Sequence, residues 1–341
     1  MTWITNGGKV MQIPKIIKAC AVLAAISAAC VTSAASQSLE KATLMLNWYV
    51  TGLHSPLILG KQKGYFKEEG IDLEILEGRG SGPTVQAVAA ENVMFGFADL
   101  TSMMALVAKG APVISVGSAL QTSPFAVVSL KEKGIEKPSD IQGRTIAMTP
   151  GDSPSQSWPL FMEKNGLQAS DFKTVSGDAK TKVNAVITGQ ADALLGFATD
   201  QGSQIESVTG KPVTNMLFAD HGVNSIGSSF IVNLETVEEN PELIKKVMRA
   251  ATRSFEYTVQ HPQEAVDAVR ASYPNAGSAE SLLSGLNTAI PLLKSPGSAD
   301  LRPLRVTSAQ IQETIKTMIA VGTLKTSDDD VSKYYTDAFL P

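Results

Sequence analysis

Short apolar runs alternate with longer stretches of helical periodicity along most of the chain. Strands are predicted at residues 43–46, 73–76, 93–98, 113–117, 145–148, 193–197 and 213–217, with a further one at 228–232. Several of these runs are apolar at every position, which suits central strands of a mostly parallel sheet covered by helices on both faces. Helical patterns occupy 241–260, 262–272, 279–289 and 308–321. Strands alternating with helices give an α/β class.

The pattern is written twice. Val85-Gln86-Ala87-Val88 leads to Gly96-Phe97-Ala98-Asp99 and then Gly110-Ala111-Pro112-Val113; further on, Val183-Asn184-Ala185-Val186 leads to Gly196-Phe197-Ala198-Thr199-Asp200 and then Gly210-Lys211-Pro212-Val213. Upstream, 56–70 and 159–166 both look like a helix closed by Gly and followed by a strand. Two similar units predict two sheets. The first lobe takes residues 36–126 plus 227–341 and the second takes 127–226. Segment 125–129 is read as the outgoing crossover, and 228–232 as a strand returning to the first lobe. The C-terminal helices are assigned to the first lobe and the hinge side.

Residues 1–35 read as a secretory leader. Lys9, Lys15 and Lys18 precede an apolar run over 19–31, and Ser33-Ala34-Ala35 offers small residues for cleavage after Ala35. The run is too short to span a bilayer, and 11–35 alone already has this shape. Lipid attachment at Cys30 is the weaker alternative, because Ser27 stands where a Leu is expected. Loss of the leader removes both cysteines, Cys20 and Cys30, leaving no disulfide, thiolate metal site or catalytic Cys. It also removes three of the 29 basic residues against 33 acidic ones, so the mature net charge is 26 − 33 = −7. That balance argues against nucleic acid or anionic lipid as the partner. With 43% hydrophobic and 18% charged residues, the chain is globular rather than disordered.

In open α/β sheets ligands sit at the carboxyl ends of strands, where loops lead into helix N-termini. Four such loops stand out: 47–54, 78–84, 99–102 and 149–155, the last before a helix holding Trp158. In the second, Gly80, Ser81, Gly82 and Thr84 combine close backbone approach with hydroxyls; in the fourth, Thr149, Gly151, Ser153 and Ser155 do the same. Free N–H groups at such helix starts favour an anion or a carbonyl-type acceptor, and ordinary capping is the equal alternative. Pro83 and Pro154 fit the first helical turn. Asn47 and Trp48 in the first loop, Thr101 and Ser102 in the third, with Thr122 and Thr199, complete the ligand candidates. The Trp48 ring is read as stacking on a planar ligand. Trp158 is balanced between that role and core burial, and His54 between ligand contact and capping of the helix at Ser55. Asp99 and Asp200 match in the repeat and are read as helix caps. Arg79, the basic residue of these loops, is assigned to solvent.

Leu46-Asn47-Trp48, His54 and Gly64-Tyr65-Phe66-Lys67-Glu68-Glu69-Gly70-Ile71-Asp72-Leu73-Glu74 resemble the opening of the nitrate/sulfonate/taurine and thiamine-pyrimidine class of periplasmic binding proteins. The resemblance continues through Lys109-Gly110-Ala111-Pro112-Val113 and Gly143-Arg144-Thr145-Ile146-Ala147. It implies a two-lobed periplasmic-binding-protein fold of type II, with the ligand cleft between lobes. It further implies a periplasmic, monomeric solute-binding subunit of an ABC importer, partnered by an inner-membrane permease and its ATPase, with no cofactor or metal. The ligand class implied is a small organic anion or heteroaromatic of sulfonate, nitrate or pyrimidine type. Trp48 and His54 are similar to a pair that faces the ligand in pyrimidine-precursor binders. Tyr49-Val50-Thr51-Gly52 departs from the Pro- and Asn-containing stretch of those binders, and Phe197-Ala198-Thr199-Asp200 lacks their aromatic pair.

The rival class is an enzyme that makes the thiamine pyrimidine on the same fold, with a Cys-rich iron-binding stretch that the mature chain lacks. Gly-x-Ser-x-Gly, His-Glu-x-x-His and Walker patterns are missing too, His54, His221 and His261 are scattered, and Asp328-Asp329-Asp330 reads as a solvated cap. The chain is therefore expected to perform no chemistry. A sensor ectodomain is the third alternative.

Overall fold

The structure, a computed structural model, describes Gly7, Gly8 and residues 38–341. Apart from those two glycines, the expected leader and both cysteines lie outside the described residues.

Among the described residues, ten strands form two five-stranded sheets. The first is ordered β2-β1-β3-β10-β4, from Ile71–Leu76 (β2), Glu40–Leu46 (β1), Phe95–Asp99 (β3), Ser228–Asn233 (β10) and Val113–Ser118 (β4). The second is ordered β7-β6-β8-β5-β9, from Lys173–Ser176 (β7), Thr145–Met148 (β6), Ala193–Phe197 (β8), Phe125–Leu130 (β5) and Val213–Leu217 (β9). The two orders are equivalent. In each, β1 or β6 runs parallel to both neighbours, while β10 or β5 runs antiparallel to both of its own. The sheets are therefore mixed, and the antiparallel strand of each follows a crossover from the other. Residues 125–129, expected as crossover, are strand β5; the chain crosses just before it. That crossover lies beside the returning one, with Ser123 N–H donating to Asn224 Oδ1 at 3.1 Å and Gly227 N–H to Leu120 O at 2.9 Å. Strand β7, a polar edge strand, carries no apolar run to mark it.

Strand side chains alternate between faces, and the cores follow. Phe230 and Val232 of β10 enter one core and Ile231 enters the other; Phe125 and Val127 of β5 enter a third, and Ala126 and Val128 a fourth. Helices cover all four faces. Those used below are Ser55–Gln62 (α1), Ser81–Ala89 (α2), Leu100–Val107 (α3), Ser153–Lys164 (α4), Ala179–Ile187 (α5), Ser203–Thr209 (α6), Pro241–Gln260 (α7), Pro262–Ser272 (α8), Ala279–Leu292 (α9) and Ser308–Ala320 (α10). In α7, Leu243, Ile244, Val247, Met248, Ala251 and Phe255 recur at helical spacing and are buried.

Helix α9 touches both halves of the molecule. Leu282 and Leu286 join the first core, while Ser284 Oγ donates to Glu206 Oε2 at 2.9 Å. A Cβ on Gly52 would lie 2.1 Å from Leu282 O, and one on Gly285 would lie 2.7 Å from Thr199 O. Only glycine lets the loop after β1 and the segment after β8 close on the two sides of this helix.

Candidate functional site

The loops after β1, β2 and β3 are stitched to one another. Gly80 N–H donates to Asn47 O at 2.8 Å and Gly78 N–H to Trp48 O at 3.1 Å. Thr84 Oγ1 donates to Leu46 O at 2.8 Å, and Asp99 N–H to Ser81 Oγ at 3.1 Å. Asp99 caps α3, accepting from the Thr101 and Ser102 amides and from the Thr101 hydroxyl. Its Oδ2 is buried without a hydrogen-bond partner. Burial pushes this carboxyl up to about 6, against the hydrogen bonds from Thr101 and Ser102.

Two contacts join this cluster to the second sheet. Ser102 Oγ lies 2.9 Å from Ser153 Oγ, so the first turns of α3 and α4 meet. Thr51 Oγ1 donates to Asp200 Oδ1 at 2.9 Å. Asp200 does not cap a helix as Asp99 does. The second repeat inserts Thr199 ahead of it, and Ala198–Gly202 forms a π-turn that carries the carboxylate toward Thr51. Burial pushes Asp200 up to about 6 as well, with the Thr51 hydroxyl pulling the other way.

His54 is fully buried and both of its ring nitrogens have partners. Thr51 N–H donates to Nδ1 at 3.0 Å, so Nε2 carries the proton and donates to Asn47 Oδ1 at 2.8 Å. Asn47, a ligand candidate, and His54, balanced between ligand contact and capping at Ser55, hydrogen-bond to each other, and His54 makes no side-chain cap on α1. Desolvation lowers the His54 pKa to about 3. The folded protein therefore refuses a proton that the unfolded chain takes up below about pH 6.5. The stability due to His54 is complete above that pH and is lost as pH falls toward 3. In urea unfolding, the advantage of the parent over His54→Gln should shrink by about 1.4 kcal/mol per pH unit below pH 6. A difference that stays constant from pH 7 to 4.5 would contradict this.

The second sheet supplies fewer free groups than expected. Trp158 is in the core, stacked on Phe161 with centroids 5.0 Å apart and an interplanar angle of 14°. Thr149 Oγ1 donates to Gly177 O at 2.6 Å. Thr84 and Thr101 are likewise turned into the protein. Thr199 is buried with its hydroxyl unpartnered, and the Ser155 hydroxyl is also buried without a partner. Gly151 is exposed, Gly82 half-buried at the start of α2, and Thr122 half-buried in the crossover.

Trp48 lies in the wall of a cavity of about 670 Å³. Glu77, Asp200 and Gln201 share that wall, as does the turn between α8 and α9, including Tyr273. Sequence reasoning missed Glu77 and Tyr273. It also missed Lys182, which is 2% exposed and donates to Asp152 Oδ2 and Leu195 O, each at 2.7 Å. Lys182 occupies the place in the second repeat that Thr84 holds in the first, and that mismatch was its signal. Among the described residues, no group of three His, Cys, Asp or Glu side chains is placed to hold a metal ion, and no helix is long and apolar enough to cross a membrane.

Comparison with solved structures supports the architecture. The periplasmic aliphatic sulphonate binding protein SsuA from Escherichia coli matches with a TM-score of 0.65 over 87% of this chain and 92% of that one, at 16% identity. By sequence, a 4-amino-5-hydroxymethyl-2-methylpyrimidine phosphate synthase of Legionella pneumophila is 29% identical over 230 residues, 67% of this chain and 72% of its own. A formylaminopyrimidine-binding protein of Halalkalibacterium halodurans is 26% identical over 245 residues, 70% of this chain and 73% of its own. A synthase is an enzyme, and its similarity overturns the expectation that this chain performs no chemistry. Gly-x-Ser-x-Gly, His-Glu-x-x-His and Walker patterns mark a few reactions and say nothing of others. The family description NMT1/THI5 like matches residues 52–265, more than half of the sequence, and the chain belongs to that family.

Proposed function

We propose that the chain captures a small planar heterocycle of pyrimidine type between its two sheets and delivers it to an inner-membrane ABC permease and its ATPase. The observation that carries this reading is the pair of contacts between loops at equivalent strand ends, Ser102 to Ser153 and Thr51 to Asp200. A ligand held at that seam touches both halves, so it favours their closed arrangement. The lobes in this reading are the expected 36–126 plus 227–341 and 127–226, with Phe125 and Ala126 passing to the second lobe as part of β5, and they are hinged at the paired crossovers. The Trp48 face supplies the stacking surface, and the Ser81, Ser102, Ser153 and Ser155 hydroxyls supply hydrogen bonds. The names of the pyrimidine-related relatives and the periplasmic neighbour support the ligand class and a location outside the cytoplasmic membrane.

Titration with 4-amino-5-hydroxymethyl-2-methylpyrimidine should change the fluorescence of Trp48, against a steady background from the core residue Trp158. Stacking a base on an aromatic ring is worth about 1–3 kcal/mol, so Trp48→Ala should weaken binding roughly tenfold to a hundredfold. Unchanged affinity in that variant would remove Trp48 from the site. Formation of a pyrimidine is the second reading, favoured by the synthase relative and by Asp99, a buried carboxyl with a free oxygen and a pKa near 6. A pyrimidine product formed by the purified chain, and lost in Asp99→Asn, would establish it.

A further inference from the structure

The cavity at Trp48 has an unusual chemical balance. Three aromatic side chains line it, Trp48, Tyr49 and Tyr273, together with the carboxylates of Glu77 and Asp200. No Lys, Arg or His is among its described lining residues. Trp48 and Tyr49 meet nearly at right angles, with centroids 5.4 Å apart and an interplanar angle of 74°, so their faces form a corner. Tyr49 is 51% exposed, a large ring left without cover.

Both acids are held in place. Glu77 Oε1 accepts from Val50 N–H at 2.8 Å, beside the ring corner. Asp200 Oδ1 accepts from Thr51 Oγ1, so the second acid arrives from the other sheet. These hydrogen bonds engage one oxygen of each carboxylate. Negative charge and aromatic faces around one space attract a cation and repel an anion.

The starts of α3 and α4 and the buried cation Lys182 are already occupied. Asp99 takes up the first amides of α3, and Asp152 caps α4 through Ser155 N–H. Lys182, the buried cation of the second sheet, is paired with that same Asp152. Arg79 is exposed and lies outside the cavity lining. The starts of α3 and α4 therefore present carboxylates of their own, and the start of α2, whose N-cap Gly80 makes no side-chain cap, lies outside the cavity lining.

We propose that this cavity selects an organic cation, an ammonium group carried on a flat ring, over neutral and anionic analogues of the same shape. The proposal rests on the reading of the interlobe cleft as the ligand site and specifies the charge of what enters it.

The test uses the full chain and three probes that share one ring, 4-amino-2-methylpyrimidine bearing aminomethyl, hydroxymethyl or carboxylate at position 5. Calorimetry at pH 7 should rank the aminomethyl cation roughly tenfold or more tighter than the hydroxymethyl compound, with the carboxylate weakest. Glu77→Gln and Asp200→Asn should each reduce the ratio of cation to neutral affinity severalfold. Equal affinity for all three, or a preference for the carboxylate, overturns the proposal while leaving capture of a pyrimidine standing. Binding of none of them overturns the pyrimidine reading instead. Tetramethylammonium and nitrate are then titrated against Trp48 fluorescence. A response to tetramethylammonium alone supports a cation cavity, and a response to nitrate or to neither overturns it.

Discussion

Oxidised protein carrying S102C and S153C together should stop taking up ligand, and reduction should restore uptake. The two hydroxyl oxygens are 2.9 Å apart, each on the first turn of a helix at the end of a strand in a different sheet. A disulfide needs its sulfurs at about 2.05 Å, so a small adjustment brings the pair into bonding range. No cysteine occurs between residues 31 and 341 to compete for the bond. The cross-link spans 51 positions and should stabilise the folded chain by about 4 kcal/mol through loss of unfolded-state entropy. A rise in Tm on oxidation therefore reports formation independently of ligand. If the sheets must part for the heterocycle to enter, the locked protein excludes new ligand and traps what it already holds. Full thiol loss and a raised Tm with ligand exchange at the reduced rate would show that entry needs no parting of Ser102 from Ser153.

The repeat made the two sheets legible, because strands buried on both faces leave runs such as Phe95–Asp99 and Ala193–Phe197 that no half-exposed element matches. The same repeat misled at Asp200. One inserted residue, Thr199, turns a helix cap into a carboxylate facing across the cleft. Trp158 misled for a different reason. Five positions past Ser153 is a rotation of about 500° on a helix, roughly 140° away from the face that meets Ser102. That places the ring against Phe161, Phe172 and Phe218 in the second-sheet core. His54 stayed balanced between ligand contact and capping in the sequence, since its fate depends on Asn47 and Thr51 closing around it. The cavity wall from α6 and from the turn between α8 and α9 was equally hidden. Those segments are distant in sequence from Trp48 and reach it through α9 packing on Gly52, the Thr51–Asp200 hydrogen bond and the Tyr273 hydroxyl on Ile75 O.

Asp152→Ala should be among the most damaging single substitutions in the second sheet and its helices. Asp152 performs two tasks at once. Oδ1 accepts from Ser155 N–H at 2.9 Å and caps α4, and Oδ2 takes the Lys182 ammonium at 2.7 Å. The Lys182 side chain is 3% exposed and the Asp152 side chain 23%, so the ammonium has little water to fall back on. Removing the carboxylate leaves it with Leu195 O as its remaining partner. Breaking one side of such a buried pair costs about 3–5 kcal/mol, and loss of the cap adds about 1 kcal/mol. For a chain of this size that corresponds to a fall in Tm of about 6–9 °C. Lys182→Met removes the ammonium and keeps the apolar stem, so it should cost far less, and the double variant should be more stable than Asp152→Ala alone. Recovery in the double variant separates an orphaned charge from a lost cap, because the cap is missing in both. The same substitution loosens the turn that aims Ser153 and Ser155, so ligand affinity should fall in Asp152→Ala at temperatures where the protein is still folded. A Tm within 2–3 °C of the parent, as for an ordinary exposed pair, would mean that Lys182 finds water or another acceptor and that its burial does not need Asp152.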